Sequence, residues 1–515
     1  MSTRYFLSTL LLLLSIMACK KDAVTSDDAL SLVPMNSAGV LRVDIPSLMK
    51  KADFEALRKT DMYKQSVEDA REKNPSLAKA LEDPAESGID LEKMGYLFFH
   101  VNPENTRETF NGFLLSLADS KKLEALAKTE GEVVSKGKFR YILSEEDNIL
   151  AWTDDVALFG FSDAPINLVD QAGLIFETKP SESVAANKDL QKALADSHDL
   201  SLWLNSNPFS ESPDLQMGMS MAEVDAEALK DNYIHGYLDF LEGRIEGTAD
   251  LFLQTKLTKD LNRLFNDKVG SGFAKYVPAE NLDLFLAAAI NIQGIDEVLS
   301  ARSQSKGFLE FSLKEFGLTT KDFRETFGGD VIVAAVGQEE SDKRVGVFAT
   351  NILDEKKLQL FLDLGVERGS LEKERANQYK VKEVSMGRSD GFFHITMDDG
   401  APRLLVKDGY LFLCGDENWL YNLENGGFPN AQRLKGEQLK SSEGHLFYAY
   451  FDANALRAFN KGPGDYSVKD LEIKASREQV KVLIHMNQEK MNALKAMFEG
   501  AAKKYEANTP EPAVQ

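Results

Sequence analysis

Val277-Pro278, followed by Leu282-Asp283-Leu284-Phe285-Leu286-Ala287-Ala288-Ala289-Ile290-Asn291-Ile292, decides the fold because it has an earlier counterpart. Val33-Pro34-Met35-Asn36 leads into Gly39-Val40-Leu41-Arg42-Val43-Asp44-Ile45 on the same plan. Each has Val-Pro, a short polar turn, an apolar strand, then a polar residue and Ile. Read this way, the second stretch opens a second copy of one large unit.

Working outward, the two halves keep the same order. The aromatic-rich strand at 96–101 is matched by Val331-Ile332-Val333-Ala334-Ala335-Val336. Strands at 113–117 and 345–349 lead into Asp119-Ser120-Lys121-Lys122-Leu123 and Asp354-Glu355-Lys356-Lys357-Leu358, each opening a helix. Asp119 or Ser120 is suited to the N-cap, where a side-chain oxygen accepts from a free backbone N–H. Strand triplets follow at 139–143, 149–153 and 156–161, and at 392–397, 403–406 and 410–413, with turns at Thr153-Asp154-Asp155 and Lys407-Asp408-Gly409. Residues 202–207 pair with 449–454. Leu251-Phe252-Leu253, leading to Leu264-Phe265, pairs with Val482-Leu483-Ile484, leading to Met497-Phe498. One such match is expected by chance; the ordered set predicts a tandem duplication.

Between the strands, apolar residues at helical spacing (Leu48, Ala52, Phe54, Leu57) predict helices over 47–81, broken at Asn74-Pro75. The stretch 295–327 is mainly helical by the same pattern. Hairpin-type turns without regular βαβ alternation favour antiparallel pairing. The expected fold class is therefore α+β: two tandem repeats, each a mainly antiparallel sheet covered by helices on one side. The expected division is a lipoprotein signal peptide at 1–18, a tether at 19–29, a first repeat at 30–268, a second at 273–502 and a flexible tail at 503–515.

The chain has 515 residues and a net charge of −22. That balance argues against nucleic acid, whose phosphates need a Lys/Arg face, and against adsorption to anionic lipid. The N-terminus points to the cell envelope. Arg4, an apolar run over 5–17 and Ala18-Cys19 make a secretory signal too short to span a bilayer. Ile16-Met17-Ala18-Cys19 resembles the bacterial lipobox, in which the cysteine is acylated and becomes the mature N-terminus. With Cys19 lipidated, Cys414 has no partner, and its apolar run Leu411-Phe412-Leu413-Cys414 marks it as a buried small hydrophobe.

Chemical motifs do not hold up in context. The six histidines (His100, His198, His235, His394, His445, His485) include no i, i+4 pair of the kind that binds zinc on a helix. Gly387-Arg388-Ser389-Asp390-Gly391 fits G-x-S-x-G, but a strand follows where the nucleophile elbow needs a helix. Gly328-Gly329-Asp330 lacks the Lys-Ser/Thr of a phosphate loop. Asp398-Asp399-Gly400 and Glu145-Glu146-Asp147-Asn148 lack the ligand spacing of a calcium loop and fit turns. Residues 208–232, with Met217, Met219 and Met221, read as a helical insert. No catalytic, cofactor-binding or metal residue is expected, and no cofactor; the one assigned site is the lipidation of Cys19.

The lipobox, the Val-Pro start of each half and the two Asp-x-Lys-Lys-Leu helices (Asp119 and Asp354) together resemble a family of Bacteroidota lipoproteins defined by a domain of unknown function. The resemblance covers most of the mature chain and implies no activity. Lys20-Lys21-Asp22, with no Asp directly after Cys19, resembles outer-membrane lipoproteins, facing either the periplasm or the cell surface. The expected function is a lipid-anchored envelope protein, non-catalytic, that binds an envelope protein or glycan partner or serves a structural role. The alternative is an envelope hydrolase acting on glycan or peptide, with a carboxylate pair assembled only in the fold.

Overall fold

The computed structural model describes residues 29–508 apart from 74, 103–107, 145–146, 211–215, 217–225, 301–318, 339–340, 383–401, 430–431, 435, 454 and 457–466. Cys19, the strand expected at 392–397, Met217, Met219 and Met221, Gly387 to Gly391, Asp398-Asp399 and Glu145-Glu146 lie outside the described residues. The chain forms two compact units. One contains the chain up to Gln254 together with Met486 onward, the other Thr255–His485.

In the first unit the strands are β1 (Gly39–Val43), β2 (Gly95–Val101), β3 (Thr109–Ser116), β4 (Val134–Lys136), β5 (Phe139–Ser144), β6 (Asn148–Trp152), β7 (Val156–Phe161), β8 (Leu200–Asn205), β9 (Tyr233–Leu241) and β10 (Arg244–Phe252). They pair antiparallel in the order β10-β9-β8-β1-β2-β3-β7-β6-β5-β4. In the second unit the strands are β11 (Leu282–Ala289), β12 (Phe327–Gln338), β13 (Ser341–Ile352), β14 (Leu371–Arg375), β15 (Gln378–Val381), β16 (Arg403–Lys407), β17 (Tyr410–Cys414), β18 (Phe447–Asp452), β19 (Val468–Ala475) and β20 (Gln479–Met486). Their order is β20-β19-β18-β11-β12-β13-β17-β16-β15-β14, strand for strand the same path.

The two Val-Pro segments are held alike. Val33 O accepts from Val184 N and Met35 N donates to Glu182 O, both at 2.9 Å; Val277 O accepts from Leu434 N at 2.7 Å and Ala279 N donates to Gln432 O at 2.8 Å. The helices Ser120–Glu130 and Glu355–Glu367 start alike too. Asp119 caps the first, accepting from Lys121 N and Lys122 N, and Asp354 caps the second, accepting from Lys356 N and Lys357 N. The backbone N–H of each cap donates to the residue that closes the preceding helical stretch, Gly88 O or Thr326 O.

Both faces of the first sheet are buried. Successive side chains on a strand point to opposite faces. On β2, Tyr96 and Phe98 enter a core with Leu168, Ala172, Ile175 and Leu190, while Leu97 joins Phe113, Leu115, Met49, Phe54, Tyr63 and Leu81. Helices therefore cover both sides, not one as the sequence predicts, because β2 and β3 are apolar at consecutive positions. The second sheet likewise has a core around Phe285, Phe412, Tyr448, Tyr276 and Trp419, and another around Leu284, Val333, Ala449 and Phe451.

The unit boundaries differ from the expected 268/273 break. Helix Thr255–Leu264, which follows β10, falls in the second unit. Helix Ala493–Asn508, which follows β20, falls in the first and runs past the expected start of the tail at 503. Its Asn492 neighbour donates to Phe240 O at 2.7 Å, and Phe498 packs beside Val43 and Met49. Ala29, placed in the tether from sequence, is fully buried. Among the described residues no helix is long and apolar enough to cross a membrane.

Candidate functional site

The first unit contains a cavity of about 500 Å³ at one end of its sheet. Strand register builds its floor. Gly39 pairs with Phe99 on β2 and Leu204 on β8, and Leu204 pairs with Ile234 on β9, so these residues form one row on one face. A Cβ at Gly39 would stand 2.8 Å from Leu204 Cδ2 and 3.0 Å from Phe99 Cδ2, so the missing side chain lets its neighbours close over the strand. Val101, Phe209, Tyr233 and Leu253 add to the walls. The polar groups at the rim are occupied internally: Ser206 Oγ donates to Asn232 O at 2.9 Å, and Asn232 spends its amide on Ala228 O and Gln254 N, both at 2.8 Å. What remains for a ligand is apolar surface.

The opposite face of the same strands carries a buried polar row. Val40 pairs with Trp203 and Trp203 with His235, while Arg42 pairs with Ser201 and Ser201 with Tyr237. The Arg42 guanidinium donates to the carbonyls of Leu194, Asp196 and His198. Its Nε, Ser201 Oγ, Trp203 Nε1 and His235 Nε2 have no hydrogen-bond partner although buried. His198 stacks on Tyr237, ring centroids 3.9 Å apart, with its Nδ1 2.7 Å from Asp239 Oδ2. Burial lowers the His235 pKa, opposed by the Asp250 carboxylate. Beside this row Asp199 is enclosed, accepting from Ser47 Oγ at 2.6 Å and Phe240 N at 2.7 Å and pairing with Lys51 Nζ at 2.6 Å.

The same register in the second unit places Tyr450 between Phe285 and Glu472, and Tyr448 between Ala287 and Lys474. Tyr448 and Glu472 thus stand where Ser201 and His235 stand in the first unit. Among the described residues one group of three ligand-type side chains converges: Asp470, Glu472 and His485 offer atoms all within 4.8 Å of one another. Asp470 and Glu472 are i, i+2 on β19 and share a face. His485 comes from the paired β20, its Nδ1 2.5 Å from Asp470 Oδ1. Lys474 Nζ lies 3.0 Å from Glu472 Oε2. Burial raises the Tyr448 and Tyr450 pKa values; the Glu472 carboxylate adds to the first and Asp470 to the second.

Of the histidines considered from sequence, His198 and His235 meet around Tyr237, and His485 joins the carboxylates. His100 is held below its ordinary pKa by burial, and His445 contacts Ser441 O through Nδ1 at 2.6 Å. Gly329 lies in β12, so Gly328-Gly329-Asp330 opens a strand and not a helix. Cys414 is buried, its thiol pushed up to about 12 by burial, which disfavours the reactive thiolate. The Asp470–Glu472–His485 group was not identified from sequence. Its signal is the run Asp470, Glu472, Lys474 at alternate positions of one strand, facing a lone His across a hairpin.

Two solved structures are similar to parts of the chain. Crystal form I of TP0453 has 11% identity and a TM-score of 0.26, covering 45% of this chain and 81% of that one. Crystal form III has 10% identity and a TM-score of 0.27, covering 48% and 89%. Scores of this size carry no inference. No curated protein matches the chain significantly. Residues 30–378 match the family described as "Domain of unknown function (DUF4836)", and the chain belongs to that family.

Proposed function

We propose that this is a lipid-anchored protein of the cell envelope, held by acylated Cys19 at the outer membrane, that binds a small apolar molecule in the cavity of its first unit. The observation that carries the binding role is the cavity itself: about 500 Å³, walled by Phe99, Leu204, Phe209 and Ile234, with its rim amides already occupied. Pockets of this size suit small ligands, and an apolar lining favours an acyl chain or similar group. The identical strand paths and matching Val-Pro and Asp-cap contacts support an origin by tandem duplication. The buried polar rows then mark where the copies have diverged, Arg42, Ser201 and His235 in one and Tyr448 and Glu472 in the other.

The test is displacement of a fluorescent fatty-acid probe from the full chain in mild detergent-free buffer. The wild type should bind it, and Leu204→Trp, which fills the cavity, should not. Equal binding by both proteins, or by neither, would rule the cavity out as the site. For the anchor, Cys19→Ala should release the protein from the membrane fraction and abolish acyl labelling.

A hydrolase remains the second reading, favoured by the proximity of Asp470 and Glu472. Cleavage of an envelope glycan or peptide that disappears in both Asp470→Asn and Glu472→Gln would select it.

A further inference from the structure

We propose that Asp470, Glu472 and His485 form a binding site for a divalent transition-metal ion of the zinc and manganese class. Three observations converge on it. The ligand atoms lie within 4.8 Å of one another, and all three residues sit on the paired strands β19 and β20. Asp470 and Glu472 are both 8% exposed. Two carboxylates taken that far out of water need compensation close by.

The compensation from protein groups is incomplete. Glu472 Oε2 lies within ion-pair reach of Lys474 but has no partner in hydrogen-bond geometry. The Tyr448 hydroxyl is fully buried and lies against the same Glu472 carboxylate. An ion at the centre of the three ligands would satisfy Glu472 directly.

The donor set selects the ion. Calcium and magnesium take oxygen ligands almost exclusively, whereas one imidazole nitrogen with two carboxylate oxygens suits zinc or manganese. Three protein ligands also leave at least one position for water. His485, the most exposed of the three, gives the ion its way in. Binding replaces the contact between His485 Nδ1 and Asp470 Oδ1 by the metal and moves Lys474 away from Glu472. Lys474 is therefore the internal competitor of the ion. The unit-1 counterpart of Glu472 is His235, and among the described residues the first unit shows no equivalent group of ligands.

Calorimetric titration of the tag-free full chain with ZnCl2, MnCl2 and CaCl2 tests this. One saturable Zn2+ or Mn2+ site is expected, with calcium much weaker. Glu472→Gln and His485→Gln should each weaken it by about tenfold or more. Lys474→Met should tighten it several-fold, an effect that a purely structural ion pair would not produce. His485→Gln alters the most exposed ligand and stays informative if Glu472→Gln does not fold. Absence of binding, or binding indifferent to all three substitutions, would overturn the proposal.

Discussion

Lys495 Nζ lies 2.6 Å from Asp53 Oδ2, an ion pair between residues 442 positions apart. It ties helix Ala493–Asn508 to the end of helix Ile45–Ala52, the last and the first α-helix among the described residues. The Lys495 ammonium holds the Asp53 carboxyl below its usual range. Both groups are partly in water, so Lys495→Ala should cost about 1 kcal/mol or less. Phe498→Ala removes apolar contact with Val43 and Met49 and should cost more, though less than the ~3–5 kcal/mol of a fully buried Phe. Deleting residues 493–515 should destabilise the first unit selectively. Hydrogen exchange resolved by segment checks this: protection should fall over Ile45–Ala52 and be retained in β12 and β13.

The equivalence of the two helix starts makes a paired prediction. Asp119 and Asp354 each cap with one carboxylate oxygen, the shorter bond in both cases being 2.9 Å. Asp119→Ala and Asp354→Ala should each cost about 1 kcal/mol, within the usual 0.5–2 kcal/mol for a lost N-cap. Denaturant titration of both variants should give shifts of similar size. A cost at one position only would mean that the contacts, though alike in geometry, differ in weight between the units.

These caps were legible in the sequence because an N-cap is local: three residues and one side chain define it. β2, β7 and β17 were legible through dense apolar runs. β4 and β14 were not, since Val134–Lys136 and Leu371–Arg375 are exposed at nearly every position and show no buried face. Burial of the first sheet on both faces was signalled by adjacent apolar residues such as Leu97 and Phe98, which point to opposite faces, but the hairpin turns favoured the reading of a sheet covered on one side. The cavity needed the register of four strands to bring Phe99, Gly39, Leu204 and Ile234 into a row. The Asp470–Glu472–His485 group was hidden by charge: alternate Asp, Glu and Lys on β19 look like a solvated face, yet the two acids are buried.

Asp330 predicts a pH effect. It is 7% exposed, and burial raises its pKa above the ordinary 3.8, opposed by a 2.9 Å hydrogen bond from Gly270 N. A carboxyl whose folded pKa is raised binds its proton more tightly in the folded state. Its contribution is therefore favourable below the unfolded pKa and is lost as pH rises through the folded one. Asp330→Asn keeps an oxygen for Gly270 N without the buried charge. The variant should melt above the wild type at neutral pH, and the gap should close as pH falls below about 4. Thermal unfolding between pH 3 and 7 measures it. A gap constant across that range would show that charge burial at Asp330 is not the cause.

Tyr276 and Asp408 supply the last prediction. Tyr276 is 1% exposed and its hydroxyl donates to Asp408 Oδ2 at 2.6 Å. Asp408 sits in the tight turn between β16 and β17 at φ +48, and Lys275 contacts the same oxygen. Asp408→Ala leaves a buried hydroxyl without an acceptor, which costs about 1–3 kcal/mol. Asp408→Asn keeps an acceptor and gives up only the exposed pairing with Lys275, about 1 kcal/mol or less. In Tyr276→Phe the hydroxyl is gone, so adding Asp408→Ala should cost much less than it does alone. A double-mutant cycle by denaturant unfolding separates the two contributions. Additive costs would mean that the turn conformation at Asp408, and not its bond to Tyr276, is what the alanine disturbs.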